Sequence, residues 1–284
     1  MYAFVVSESR ARPGLAEVGC GDRPYIFYNV LRPGRRTLPP RGTGLNCMQY
    51  KTAVVTGASR GLGRAIGIEL ARKGLNVMLA ARAENELKQT TENLNREGFT
   101  NVGFSIVDLR SLESITSLFQ NARSRFGPVD VLVNNAGVGA YKPFIEWSEQ
   151  EIIDTAGINL TGLMVCTRQV IPEMISQKRG LIVNIASDLS RRPLANMAPY
   201  VATKFGVLGF ASSLLREVKQ HGIKVCTIMP GIIDTNFNNS REGTREETWA
   251  LPMATVAQTV AGLLDLPDYV VIDELAIHPL HQDF

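Results

Sequence analysis

Several signals that would mark a specialised class of protein are missing from this chain. Cysteine is sparse: Cys20, Cys47, Cys166 and Cys226 are widely spaced among 284 residues, with no CxxC pair. That usage fits a reducing compartment and excludes both a disulfide framework and a zinc ribbon. Cys166 and Cys226 lie in apolar stretches and are expected to pack as small hydrophobes. His221, His278 and His281 also lack ligand spacing, so no residue is assigned to a metal. No uninterrupted apolar run approaches the roughly 20 residues needed to cross a bilayer, so no membrane span is expected. The opening MYAFVV is too short for a secretory core and has no basic segment before it, which argues against export. An excess of one charge is absent too, the net charge being +3. Residues 1–47 hold seven arginines, no lysine and three acids, a balance of +4, which leaves −1 for residues 48–284. The larger part therefore has no basic bias toward nucleic acid.

Residues 1–47 also contain five prolines and six glycines without any sustained period, and are expected to form a poorly ordered extension. Two origins fit it. An Arg-rich, acid-poor segment can be an organellar transit peptide, although serines are few and no amphipathic helix is visible. Alternatively Met48 is the working start, because the periodic pattern begins at once with Lys51. The second reading is preferred, and with it a cytoplasmic location; the first would make the protein organellar.

What is present is a long alternation. Apolar runs TAVVT, NVMLAA, VGFSIVD, VDVLVNNAG, GLIVNIAS, IKVCTIMPG and YVVIDELAI are separated by amphipathic segments, among them Ser148–Gln177 and Pro199–Gln220. Seven strands alternating with six helices, the strands apolar on both faces, predict a single α/β domain over residues 48–284 with a doubly wound, mainly parallel sheet. A ligand is then expected outside the carboxyl ends of the strands, where the winding direction reverses.

Three motifs fall at such ends. Gly57, Ser59, Arg60, Gly61, Leu62 and Gly63 follow the first strand and open the first helix. Glycines there permit a sharp turn and let a phosphate approach the free N–H groups of the helix N-terminus, so a nucleotide is favoured over a bare tight turn. Tyr200 and Lys204 stand four residues apart, which on a helix puts the ammonium beside the phenol. A phenol of pKa about 10 needs a neighbouring cation to work as an acid-base group near neutrality. Ser187 ends an apolar run thirteen residues before Tyr200.

The glycine turn, Asn134-Asn135-Ala136-Gly137, Asn159, Ser187, Tyr200, Lys204 and Pro230-Gly231, in this order, resemble the short-chain dehydrogenase/reductase family in its compact branch, over essentially all of residues 50–284. The resemblance implies a Rossmann-type fold and an oxidoreductase that interconverts a ketone or aldehyde and an alcohol by hydride transfer. By the same resemblance Tyr200 is the general acid or base. Lys204 binds the nicotinamide ribose and depresses the tyrosine pKa, Ser187 hydrogen-bonds the substrate oxygen, and Asn159 holds a water in the proton path. Asn135, Ala136 and Gly137 steady the sheet beside the cofactor, a role more structural than contacting. Asp108 resembles the acid that contacts adenine, or else caps the following helix. Pro230, Gly231, Ile232 and Thr235 lie near the expected nicotinamide, Ile232 through its backbone and Thr235 toward the carboxamide.

Charge points to NADP(H) as cofactor. An acid near the end of the second strand would select NAD, and here that stretch is LAAR, with no acid before Arg82. Arg82, with Arg60 in the glycine turn, suits a 2′-phosphate, unless both are ordinary surface charges. Asp188 departs from the family pattern; it either faces the substrate mouth and disfavours anions, or turns to solvent or pairs with Arg191. Asn236–Met253 reads as a substrate flap, with Phe237 and Trp249 as its apolar contacts. The resemblance also implies a homo-oligomer, tetramer before dimer, joined through the two long helices, with a small carbonyl or alcohol compound as substrate and neither nucleic acid nor membrane as partner. A rival reading makes the chain a catalytically idle NADP sensor on the same fold, and a second makes it an epimerase or dehydratase that borrows the hydride.

Overall fold

The computed structural model describes residues 50–235, 243 and 248–282. Residues 1–47, Met48, Phe237 and most of the expected flap lie outside them.

Seven strands form one sheet: β1 (Thr52–Thr56), β2 (Asn76–Ala81), β3 (Val102–Ile106), β4 (Val131–Asn134), β5 (Gly180–Ile185), β6 (Ile223–Pro230) and β7 (Glu274–Ile277). Their order is β3-β2-β1-β4-β5-β6-β7, and every neighbouring pair runs parallel. Strands β1, β4, β5 and β6 are buried along their whole length, as their unbroken apolar runs require. Helices α1 (Gly61–Arg72), α2 (Glu84–Arg96) and α7 (Met253–Gly262) cover one face, with Ile66, Leu70, Leu87, Leu94, Val256 and Val260 in that core. Helices α3 (Leu112–Phe126), α5 (Gly162–Gln177) and α6 (Ala198–Val218) cover the other, around Leu118, Phe119, Val170, Met174 and Val218. The winding reverses between β1 and β4, which opens a crevice at their carboxyl ends.

Local chemistry explains most boundaries. Ser111 caps α3 by accepting from the Ser114 N–H, and Ser148 opens α4 (Glu149–Ala156) with a capping box to Glu151. The expected helix Ser148–Gln177 is one continuous run, but Gly157–Thr161 within it forms a π turn centred on Asn159. The last apolar run forms less strand than its composition predicts. Only Glu274–Ile277 pairs with β6; Val270 N–H instead closes a turn onto the Pro267 carbonyl, and Tyr269 is 87% exposed.

A buried ion pair anchors the foot of the sheet. Asp130, 2% exposed, accepts from the backbone N–H groups of Lys51 and Thr52 and from the Arg179 guanidinium at 2.6 Å. Both carboxylate oxygens are thereby matched by donors from two strand starts, as a buried charge requires.

Candidate active site

The crevice is a cavity of about 910 Å³ that runs from the glycine turn to the start of α6. All of the catalytic and cofactor-binding candidates line it except Asn159, which is buried directly behind it; Trp249 of the expected flap is 50% exposed and does not line it.

At one end the chain leaves β1 and enters α1. Arg60 occupies the N-cap with an extended backbone and no side-chain cap, and the first turn of α1 carries no acid. Unlike α3 and α4, this helix leaves its first N–H groups open to an incoming anion. Gly61 has φ +57, and a Cβ there would enter open space, so the turn presents bare backbone to the crevice. Gly63 serves close approach: a Cβ would be driven into the Gly57 carbonyl oxygen and the Asn135 amide. Asn135 fastens the turn, donating to the carbonyls of Thr56 at 2.9 Å and Gly57 at 3.2 Å. Thr56 Oγ1 in turn accepts from the N–H groups of Asn135 and Ala136. These residues fit a dinucleotide: open donors, no competing acid and a glycine cradle braced from β4.

Arg82 follows β2 at the crevice rim and is exposed, as is Arg60. Asp108 lies nearby, but its carboxylate is engaged by the Arg110 guanidinium at 2.6 Å, which with the Arg110 backbone bond holds its pKa down to about 2. Arg110 also grips Asp154 at 2.8 Å. The cap of α3 is Ser111, so Asp108 does not act as that helix's cap.

At the other end Ser187, Tyr200 and Lys204 meet. Tyr200 and Lys204 sit on one face of α6, the Lys204 Nζ 5.5 Å from the phenol ring centre, and Ser187 hydrogen-bonds the Tyr200 hydroxyl. That face points into the protein. Tyr200 is 7% and Lys204 4% exposed, and burial dominates both titrations. The phenol is pushed up to about 12 and the ammonium down to about 8. The expectation that Lys204 depresses the tyrosine pKa is therefore corrected here. Adjacency on a helix delivers the cation, but desolvation of the phenolate is the largest influence, the Asp188 carboxylate adds to the rise, and the lowering influence is the hydrogen bond with Ser187. Lys204 Nζ donates instead to the Ile185 carbonyl at 2.8 Å.

Asn159 stands behind the pair. Its side chain accepts from the Val138 N–H at 2.8 Å and donates to the Val138 carbonyl at 2.8 Å and to Thr203 Oγ1 at 3.1 Å. The π turn is what brings this side chain level with Gly137 and Lys204, an irregularity of the kind that gathers at functional sites.

Pro230, Gly231, Ile232 and Thr235 leave the end of β6 along the crevice wall. The sequence left three places open for Asp188, of which the structure selects the cleft wall, and it gave no sign of Gln282. Asp188 neither pairs with Arg191 through its side chain nor faces solvent alone: Oδ1 accepts from Ser187 Oγ at 2.9 Å and from the Leu189 N–H at 2.8 Å. Arg191 is bound to Glu274 instead. Gln282, near the end of the chain, lines the same cavity as Ser187, and no local motif signals it. Among the described residues no group of three potential metal ligands occurs, and no helix is long and apolar enough to cross a membrane.

Comparison with known proteins agrees with this geometry. The model of the short chain dehydrogenase family matches residues 51–246. A 3-oxoacyl-(acyl-carrier-protein) reductase, FabG, of Staphylococcus epidermidis is 35% identical over 191 residues, spanning 67% of this chain and 78% of the relative. An alcohol dehydrogenase of the archaeon Thermococcus sibiricus, solved with 5-hydroxy-NADP, superposes with a TM-score of 0.78 at 32% identity, covering 83% of this chain and 99% of the other. An actinorhodin polyketide ketoreductase variant solved with NADPH gives a TM-score of 0.75 at 31% identity, covering 83% and 98%. The chain belongs to the short-chain dehydrogenase family, a family of oxidoreductases.

Proposed function

We propose that residues 48–284 form an NADP(H)-dependent reductase that converts a ketone or aldehyde to an alcohol, reversibly, with Tyr200 as general acid and base. The observation that carries this reading is the meeting of Ser187, Tyr200 and Lys204 in one crevice with an uncapped, glycine-lined helix N-terminus. Gly57, Ser59, Gly61, Leu62 and Gly63 would hold the pyrophosphate, with Asn135, Ala136 and Gly137 bracing them. Arg60 and Arg82 would hold a 2′-phosphate, and no acid at the end of β2 opposes one. NADPH and NADP analogues in the two solved relatives support this choice. The nicotinamide, when bound, supplies or accepts a hydride.

The chain's own groups manage the oxygen. As a carbonyl gains negative charge, Tyr200 transfers its hydroxyl proton to that oxygen, and the Ser187 hydroxyl stabilises it by a hydrogen bond. A phenol held up to about 12 keeps its proton in the resting cleft, which suits a donor. Lys204, held near 8, carries charge at neutral pH and can return a proton toward the phenol. Asn159 spends both amide protons on Val138 and Thr203, so a water in the proton path would rest on its backbone carbonyl.

Exposed Ile153 on α4 and Phe205 on α6, 61% and 43% exposed, support a homo-oligomer through these helices, tetramer before dimer. Buried free Cys166 and Cys226 fit a reducing cytoplasmic compartment. The deciding test is NADPH oxidation against a panel of ketones, aldehydes and acyl thioesters. Turnover of at least one carbonyl is expected. NADPH binding without turnover of any would favour the sensor reading.

A further inference from the structure

The reacting end of the crevice holds a carboxylate. Asp188 lines the cavity one residue beyond Ser187, and both of its oxygens are engaged. Oδ1 accepts from the Ser187 hydroxyl at 2.9 Å and from the Leu189 N–H at 2.8 Å, while Oδ2 accepts from Gln282 Nε2 at 2.7 Å. Gln282 belongs to the segment beyond β7, so the carboxylate is fixed by a contact 94 residues away along the chain.

A serine hydroxyl has one proton to give. In the resting cleft Asp188 takes it, while Ser187 Oγ also accepts from the Leu189 N–H at 3.2 Å and meets the Tyr200 hydroxyl. Ser187 therefore donates to a substrate carbonyl oxygen only after its proton has left Asp188. A plain ketone must win that proton from a charge-assisted bond, and it leaves the carboxylate one donor short. A ketone with its own donor on the neighbouring carbon avoids this loss: the donor replaces Ser187 on Oδ1, and the serine proton turns to the carbonyl oxygen. The spacing suits such a pair. Ser187 Oγ and Asp188 Oδ1 are 2.9 Å apart, and oxygens on adjacent carbons turned to the same side have a similar separation.

We infer that Asp188 selects ketones bearing a hydroxyl or ammonium group on the carbon next to the carbonyl and rejects those bearing a carboxylate there. The inference rests on the proposed reductase activity and names its substrate class. Leu189, Pro193, Leu194 and Met197 line the same cavity and give the rest of such a substrate an apolar wall. Arg192 lines it too, but is exposed, whereas the charge bonded to Ser187 is the carboxylate.

The experiment measures kcat/KM for NADPH-linked reduction of acetophenone, α-hydroxyacetophenone, α-aminoacetophenone and benzoylformate by the parent, Asp188→Ala and Asp188→Asn. The parent is expected to favour the hydroxy and amino ketones over acetophenone by at least about tenfold. In Asp188→Ala that advantage should shrink at least about tenfold, and benzoylformate should gain about tenfold on acetophenone. Asp188→Asn keeps the shape without the charge, and should lose the amino preference and the rejection of benzoylformate alike. A merely structural role would lower all four substrates together and leave their ranking intact. A parent that reduces other carbonyls but does not favour the hydroxy or amino ketone, or a ranking that survives in both variants, overturns the inference while the reductase assignment stands. Absence of turnover with these four and with every other carbonyl in the wider panel overturns both.

Discussion

Replacing Lys204 by methionine tests how the reactive end of the cleft is built. In the folded chain this ammonium is 4% exposed, and burial lowers its pKa from 10.5 to about 8. A charge disfavoured to that degree costs about 3 kcal/mol of stability wherever folded and unfolded chains both carry the proton. That regime is the one below the folded value of about 8. Between about 8 and 10.5 the unfolded chain still holds its proton while the folded chain has released it. The unfolded state then binds more protons, so stability rises with pH across this window and the cost is gone above it. Methionine fills similar space without charge and never carries the cost. It forfeits the hydrogen bond to the Ile185 carbonyl, worth about 1 kcal/mol. At pH 7, Lys204→Met is therefore expected to be more stable by about 2 kcal/mol, or about 4–8 °C in melting temperature for a chain of this size.

The assay is urea denaturation of both proteins from pH 7 to pH 11, read as a difference. The difference matters because burial also pushes Cys166, Cys226 and Tyr200 up to about 12. Those groups keep protons in the folded chain that the unfolded chain has lost, which pulls stability down at alkaline pH in both proteins alike and cancels. The advantage of the variant should shrink above pH 8 and reverse by about 1 kcal/mol beyond pH 10.5. A variant less stable at pH 7, or a difference that does not move with pH, would refute the burial argument. The variant should also be nearly inactive, because a destabilising buried cation is retained where the reaction uses it.

Tyr200→Phe should lower turnover at least about 100-fold while NADPH affinity stays within about twofold; a comparable loss of affinity would make the phenol a binding group and not the acid. Arg82→Asp should move the NADPH-to-NADH ratio of kcat/KM toward NADH by at least about tenfold, and an unchanged ratio removes Arg82 from the 2′-phosphate site. Asp130→Ala should cost about 3–5 kcal/mol in guanidinium denaturation, because it strands the partly buried Arg179 and two backbone donors. A loss below about 1 kcal/mol would show that water replaces the carboxylate there.

Much of this molecule could be read without coordinates because its signals are local. Unbroken apolar runs such as GLIVNI state burial on both faces, and the glycine turn states a sharp strand-to-helix passage. The same logic overreached at Tyr269–Asp273, where apolar composition suggested strand but only Glu274–Ile277 has a neighbour to pair with. The π turn at Gly157–Thr161 left no trace in the helical period, since one extra residue per turn is forced by what the helix packs against: Asn159 must reach Val138 and Thr203.

Sequence alone determined the alternation of strands and helices, the family, and which side chains could do acid-base work, because each depends on spacing of a few residues along the chain. Only the tertiary structure decided how acidic the phenol is, where Asp188 turns and what Gln282 touches. Burial of Tyr200 and Lys204, and a bond between residues 188 and 282, arise from segments distant in sequence that share one crevice. Desolvation and long-range hydrogen bonding exist only once those segments are packed together.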